Sequence, residues 1–153
     1  MKILKIQALR GPNLWSVQRK KLIQMRLDLE EMEQYPTNKI EGFRERLEEM
    51  FPTMIEHRCS EGVRGGFFMR IEKGTWMGHV IEHIALEIQS LAGMDTGFGR
   101  TRETKTPGIY NVVFSYVEEN VGMFAAESSV RIAEALIAGT TYDLEADIKK
   151  MFL

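Results

Sequence analysis

The sequence predicts an α+β fold in which a small, mainly antiparallel sheet packs with several helices in a single domain. Its length of 153 residues suits one domain with its own hydrophobic core. Its periodic segments follow the order strands, helices, strands, helices, which is typical of α+β proteins. Two candidate strands also flank the turn at Pro107-Gly108, so they are expected to pair as antiparallel neighbours.

The first part of the chain contains two candidate strands and one candidate helix. Residues 3–9 form a short, mostly apolar run that ends at a Gly-Pro turn, which predicts a strand. Residues 22–29 alternate in part and predict a second strand, although their acidic end is equally compatible with a helix. Residues 41–51 carry apolar side chains at helical spacing and stop before Pro52, which predicts a helix.

The best-defined helix lies in the middle of the chain. Thr75 is a candidate N-cap and Gly93 a candidate C-terminal stop. Between them, one apolar stripe is formed by Met77, Val80, Ile81, Ile84, Ile88 and Leu91. Residues 109–117 are β-branched and aromatic and predict a strand. Further helices are expected at residues 123–138 and from residue 143 onward, and the apolar chain end suggests a docked terminus or a fragment of a longer protein.

Composition and motif content exclude several classes of function. A formal net charge of −2 gives no basic excess, so no nucleic-acid partner is expected. No apolar run reaches membrane-spanning length, so no membrane partner is expected either. The single cysteine, Cys59, rules out an internal disulfide and fits a reducing cytoplasm, where we expect the protein to reside. No phosphate-binding glycine motif precedes a helix, so ATP binding in this chain is not predicted.

Two of the three histidines lie one turn apart on the predicted central helix. His79 and His83 with Glu82 form the pattern H-x-x-E-H, the reversed zinc-peptidase motif, whose spacing lets both imidazoles bind one ion. Glu82 lies beside the pair and could take a proton from a water. Catalytic zinc needs a third protein ligand, for which Glu87 is the nearest candidate and Glu103 a more distant one. Another divalent metal could use the same ligands.

The same pattern also has a simpler interpretation. A His–Glu pair at one-turn spacing on a solvated helix face contributes only a few tenths of a kcal/mol and needs no metal. His57 and Cys59 are near neighbours in the chain but lack metal-site spacing with each other, so neither is predicted as a ligand. From the motif alone, a metal site and a polar surface face both stay open.

Arginines beside glycine-rich segments are candidate substrate ligands. Arg64 lies in the run GVRGG at residues 62–66, and Arg100 and Arg102 lie in GFGRTRE at residues 97–103. Guanidinium groups suit carboxylate recognition or the stabilisation of an oxyanion. The alternative is that the glycines shape turns and the arginines are solvated.

Longer runs of the chain carry a family resemblance. They are LRGPN at 9–13, MRLDL at 25–29, GVRGGF at 62–67, GTWMGH at 74–79, GFGRTRET at 97–104 and TPGIY at 106–110. In this order, and over essentially the whole chain, they resemble the N-terminal domain of cyanophycin synthetases.

The resemblance implies a place in a larger protein. That family builds cyanophycin, a poly-aspartate backbone with arginine on each side chain, and uses ATP. Residues 1–153 would then be the N-terminal domain of a longer ligase, and the chain end at Leu153 would be that of an excised domain. ATP and Mg²⁺ would belong to the absent ATP-grasp and Mur-ligase-like domains. Those domains would be partners of this one, and a homo-oligomer could form through the parent protein.

The resemblance also implies that the domain handles the polymer. It would bind cyanophycin and, as in some members, carry a metallopeptidase-like site that cuts the polymer into primers. The positions that match this site are His79, Glu82, His83 and Glu87, with Arg100 and Arg102 nearby. The alternative is a non-catalytic domain that tethers cyanophycin for the ligase.

These expectations define a mechanism that the structure can be compared with. Zinc held by the two motif histidines and Glu87 would activate a water, Glu82 would take its proton, and a backbone amide of the polymer would be attacked. Arg100, Arg102 or Arg64 would stabilise the oxyanion or pair with a substrate carboxylate. Acidic groups such as Glu103 would receive the guanidinium groups of the substrate.

Overall fold

Four antiparallel strands form one sheet in the order β1-β2-β4-β3, and helices pack against one of its faces. The structure is a computed structural model that describes residues 1–16 and 21–152. The strands are β1 (Lys2–Arg10), β2 (Lys21–Asp28), β3 (Gly99–Glu103) and β4 (Ile109–Ser115). The helices are α1 (Phe43–Met50), α2 (Gly66–Lys73), α3 (Met77–Leu91), α4 (Glu119–Ala138) and α5 (Leu144–Lys150). This arrangement confirms the predicted α+β class.

The strand predictions are confirmed. Residues 22–29 form a strand and not a helix, because β2 lies in the sheet interior with β1 and β4 on either side. The β-branched run at residues 109–117 contains β4, and β3 pairs with it across the Pro107-Gly108 turn. The three central apolar side chains of β2 are fully buried under the helices: Ile23, Met25 and Leu27.

The helix predictions are mostly confirmed, with three differences. The N-cap of α3 is Trp76, because the hydroxyl of Thr75 contacts the ring of His79 instead of capping the helix. Leu91 is 41% exposed at the end of α3 and so leaves the apolar stripe, whose other members are fully buried. The glycine-rich run at residues 62–66 does form a turn, but the sequence analysis did not predict the helix α2 that follows it directly.

Helix α3 is the central element of the fold. It packs against α4 on one side and against β3 and β4 on another, so its whole middle section is buried. Gly78 permits this close contact, because a Cβ there would lie 3.0 Å from the Thr101 side chain and 3.2 Å from the Tyr110 ring. Within the described residues, no helix has the length and apolarity needed to cross a membrane.

Candidate active site

A cavity of about 930 Å³ opens beside α3, within the size range of small-molecule sites. One wall is α3 itself, and the opposite wall is the segment between α1 and α2, which contains two short 3-10 helices, Pro52–Glu56 and Cys59–Glu61. The edge strand β3 and the loop that precedes it close a third side. Its lining includes Thr53, His57, Cys59, Glu82, Glu87 and Arg100.

The helical repeat explains why polar groups of α3 face this cavity. Residues 79, 82, 83, 86 and 87 follow the spacing i, i+3, i+4, i+7, i+8, which places them on one face of the helix. This second face is buried as well: Glu82 and His83 are each 7% exposed and Glu87 is 4% exposed. Buried polar groups need partners, and each of these has one. The simpler interpretation of a solvated helix face therefore does not describe this site.

Three potential metal-ligand atoms converge at one point of the cavity. Nε2 of His83 lies 3.1 Å from Nε2 of His79, which in turn lies 3.2 Å from Sγ of Cys59. All three atoms lie within 4.8 Å of one another. Zinc–nitrogen bonds of about 2.0–2.1 Å and zinc–sulfur bonds of about 2.3 Å place neighbouring tetrahedral ligands roughly 3.3–3.6 Å apart. The separations of 3.1 and 3.2 Å are slightly shorter than this, so the donor types suit a tetrahedral cation with one open position once the side chains shift by a few tenths of an ångström.

Helix α2 supports both histidine rings. The ring of Phe67 stacks on His83, with centroids 3.9 Å apart and planes inclined by 14°. The same ring meets His79 edge-on at 5.5 Å. Phe67 is fully buried, so its packing restrains the planes of the two imidazole rings.

Hydrogen bonds determine which nitrogens face the cation position. Nδ1 of His79 lies 3.0 Å from the Thr75 hydroxyl. Nδ1 of His83 lies 2.9 Å from Nδ1 of His57, whose Nε2 lies 2.6 Å from Oε2 of Glu87. An ionised Glu87 only accepts, so His57 donates to it through Nε2–H. When His57 donates through Nε2–H alone, its Nδ1 accepts from Nδ1–H of His83, and this tautomer leaves Nε2 of His83 with a free lone pair.

The pKa shifts agree with this proton arrangement. Burial, aided by the charge of Arg70, lowers the pKa of His79 to about 4. Burial also lowers the pKa of His83 well below its ordinary value, with smaller effects from the two neighbouring histidines. For Glu87, burial acts to raise the pKa, but the hydrogen bonds from His57 and Thr53 outweigh it and the net pKa is lowered. Both motif histidines are thus neutral near pH 7, the state in which imidazole binds metals.

Glu82 lies next to the ligand cluster without belonging to it. Its Oε1 accepts a hydrogen bond of 2.8 Å from the hydroxyl of Thr101, and its Oε2 lies 3.8 Å from Nε2 of His83. Burial raises the pKa of Glu82 to about 7, against the opposing effect of the Thr101 hydrogen bond. A carboxyl group with a pKa near the working pH is suited to accept and return a proton.

The structure places the candidate substrate residues at different locations. Arg100 lines the cavity, and its guanidinium carbon lies 5.8 Å from the centroid of the Phe98 ring. Arg102, Arg64 and Glu103 are outside the cavity lining. Nε of Arg64 donates to Glu56 at 3.0 Å, and Oε2 of Glu103 accepts from the backbone N–H of Gly108 at 3.0 Å. Glu87 lines the cavity, with one carboxylate oxygen on His57 and the other on Thr53.

Sequence analysis did not identify His57, Cys59 or Thr53 as site residues. Their spacing carries no motif, because they come from a segment of short 3-10 helices that reaches α3 only in the folded chain. One local feature marks the segment: Cys59 has a φ of 54°, in the left-handed region that non-glycine residues seldom adopt. Such strain is concentrated at functional sites.

Comparisons with known proteins agree with the family resemblance. The family model for the cyanophycin synthase-like N-terminal domain matches residues 24–138. The cyanophycin synthetase of Geminocystis herdmanii is 58% identical over 145 residues, which cover 95% of this chain and 17% of that protein. Those of Crocosphaera subtropica and Synechocystis sp. are each 54% identical over 154 residues, covering 99% of this chain and 18% of each relative.

The chain thus spans less than a fifth of the length of the curated relatives that it matches. The matched region includes β4, all of α3 and every residue of the ligand cluster. From the family match and these identities, the chain belongs to the family of cyanophycin synthase-like N-terminal domains.

Proposed function

We propose that this domain binds cyanophycin and hydrolyses its backbone in the α3 cavity, in a reaction that depends on a divalent metal and generates primers for polymerisation. One observation carries the proposal: three metal-ligand atoms converge in a large cavity directly beside a buried carboxyl group. The positions of His79 and His83 beside Glu82 support this use of the H-x-x-E-H motif. Polymerisation with ATP and Mg²⁺ would belong to the ligase domains of a parent protein.

His79, His83 and Cys59 would hold the metal. Sγ of Cys59 lies against Nε2 of His79, whereas both oxygens of Glu87 are engaged by other side chains. We therefore assign the third ligand to Cys59, and we assign Glu87 to the hydrogen-bond chain that orients His83 through His57. Two imidazoles and one thiolate suit zinc better than harder cations such as Mg²⁺.

Glu82 would act as the proton carrier of the reaction. A metal bound at the cluster supplies Lewis acidity towards water and the amide carbonyl. Glu82, held by Thr101, takes a proton from the attacking water at Oε2, the oxygen nearer the cluster. The same carboxyl group then returns this proton to the leaving amine, so that one residue completes both transfers.

The charges around the cavity fit the proposed polymer. Each repeat of cyanophycin carries one carboxylate and one guanidinium group on its arginine. Cations that line the cavity are Arg58, Arg70 and Arg100, and lining carboxylates include Glu56 and Asp95. Arg100 would pair with a substrate carboxylate at the cavity rim, and the acids would receive guanidinium groups.

Sizing the polymer after incubation with the 153-residue chain tests the proposal. Soluble cyanophycin is incubated with the metal-loaded protein, with the protein after chelation, and with the chelated protein after zinc is restored. We expect shortened chains in the first and third samples only. Polymer that is bound but stays at full length in all samples would instead favour the tethering function.

A further inference from the structure

The sheet face away from the helices carries exposed cations around Lys5 and Arg26, whereas Leu22 and Val113 on the same face are fully buried. Because Ile23, Met25 and Leu27 of β2 face the core, the alternate residues Gln24 and Arg26 face the opposite side. The register extends this face into two rows across the four strands. One row is Lys5, Arg26, Asn111 and Arg102, and the other is Gln7, Gln24, Val113 and Arg100.

The amide groups on this face are paired with one another. Nε2 of Gln7 donates to Oε1 of Gln24 at 3.1 Å, and Nε2 of Gln24 donates to Oδ1 of Asn111 at 3.2 Å. A shallow pocket of about 100 Å³ lies beside this ladder and is lined by Lys5, Gln7, Gln24 and Arg26. The three paired amides thus form an ordered amide floor, and the side chains of Lys5 and Arg26 lie beside it.

The cations of this face have no counter-ions within the described residues. No ion pair involves Lys5, Arg26 or Arg102 among residues 1–16 and 21–152, and all three are exposed. Lys5 lies directly opposite Arg26 on neighbouring strands, where like charges destabilise a sheet. The nearest acid in the register is Asp28, whose carboxylate accepts the N–H of Glu30. Asp28 lies on the same side of β2 as Arg26, so the three cations outnumber this carboxylate.

We propose that this basic sheet face, formed by Lys5, Arg26 and Arg102 on the amide floor, binds the carboxylates of a polymer chain that lies across the strands. Three strand spacings separate β1 from β3, a distance of about 14–15 Å that four or five residues of extended chain can span. Guanidinium groups bind carboxylates in a bidentate manner, and an ammonium group binds them as a point charge. The negative charge of the bound carboxylates would offset the repulsion between Lys5 and Arg26.

The basic sheet face continues into the cavity at the edge strand. Arg100 belongs to the second row of the face and also lines the cavity. A chain bound on the face and passing over β3 would therefore reach the cleavage site. The inference deepens the proposed function, since it gives the same polymer a second binding surface outside the cavity.

Binding of a labelled oligo-aspartate tests the basic sheet face separately from cleavage. Fluorescence anisotropy compares the 153-residue chain with the triple variant Lys5→Gln, Arg26→Gln, Arg102→Gln. The matched control is Lys39→Gln, Lys149→Gln, Lys150→Gln, which removes the same charge from exposed positions elsewhere. We expect the first variant to weaken binding at least tenfold and the control to stay within twofold. Unchanged binding in the first variant would overturn the proposal.

Two further arms separate the outcomes. Single-stranded DNA of equal charge should bind more weakly than oligo-aspartate, and equal binding would show a general polyanion surface and overturn the carboxylate assignment. The variant Glu82→Gln should bind oligo-aspartate as the unmodified chain does. If the unmodified chain binds oligo-aspartate but does not cleave cyanophycin, the hydrolytic function alone is refuted. If it cleaves cyanophycin but does not bind oligo-aspartate, the basic sheet face alone is refuted. Circular dichroism checks that each variant is folded.

Discussion

Replacing Gly99 with alanine should displace Glu82 and slow cleavage without removing the metal ligands. A Cβ at residue 99 would lie 2.5 Å from Oε2 of Glu82 and 2.7 Å from its Cδ and Cγ, whereas ordinary contacts begin at 3.4 Å. The carboxyl group must therefore move by about 1 Å, which breaks its hydrogen bond with Thr101. A misplacement of about 1 Å in a reacting group can cost roughly 100-fold in rate, or about 2.7 kcal/mol of barrier.

The control for this prediction is Gly97→Ala. A Cβ at residue 97 would meet no atom within 4 Å, so this variant should cleave within about threefold of the unmodified chain. Initial rates of cyanophycin shortening, zinc content and thermal unfolding are measured for both variants. Overpacking at residue 99 should also cost about 1–3 kcal/mol of stability. If Gly99→Ala, folded and zinc-loaded, cleaves as fast as Gly97→Ala, the role of Glu82 is refuted.

Three other tests address the ligand assignment and the buried carboxyl group. Cys59→Ser should abolish tight zinc binding in a dialysis assay, whereas Glu87→Gln, which disturbs only the chain that orients His83, should lower the affinity by no more than about 10–100-fold; the reverse order would return the third ligand to Glu87. His57→Gln should weaken zinc affinity by about 10–100-fold, since it interrupts the chain that orients His83; unchanged affinity would remove that role. In metal-free protein, the free energy of unfolding of Glu82→Gln minus that of the parent should increase as the pH rises from 4.5 to about 7. The folded pKa near 7 exceeds the ordinary value of 4.5, so the parent loses stability across that interval, by roughly 3 kcal/mol at most; a difference that does not change with pH contradicts this.

The central helix and the shared face of its polar residues could be predicted because their signals are local. A repeat of 3.6 residues fixes which residues of α3 share a face, so His79, Glu82 and His83 were placed together by spacing alone. Period-two alternation and the Pro107-Gly108 turn likewise fixed the pairing of β3 with β4. Such patterns depend only on neighbours in the chain.

The rest of the site depends on contacts between distant segments. His57 and Cys59 lie two residues apart in a stretch without a regular period, and their meeting with α3 is set by tertiary packing. Phe67 stacks on His83 because α2 follows the glycine turn directly. The glycine-rich sequence of that turn gave no signal that a helix begins there. The separation of Arg102 from the cavity follows from the register of β3, which spacing along the chain does not give.

The release of new amino groups from cyanophycin measures metal-dependent backbone hydrolysis itself, because each hydrolysed backbone amide liberates one amine. Zinc-loaded protein and its Glu82→Gln variant are compared at equal metal content. We expect steady amine release by the unmodified chain and a loss of about 100-fold or more in the variant, because the variant lacks the proton carrier. Equal release by both proteins, or no release by either, would contradict this expectation.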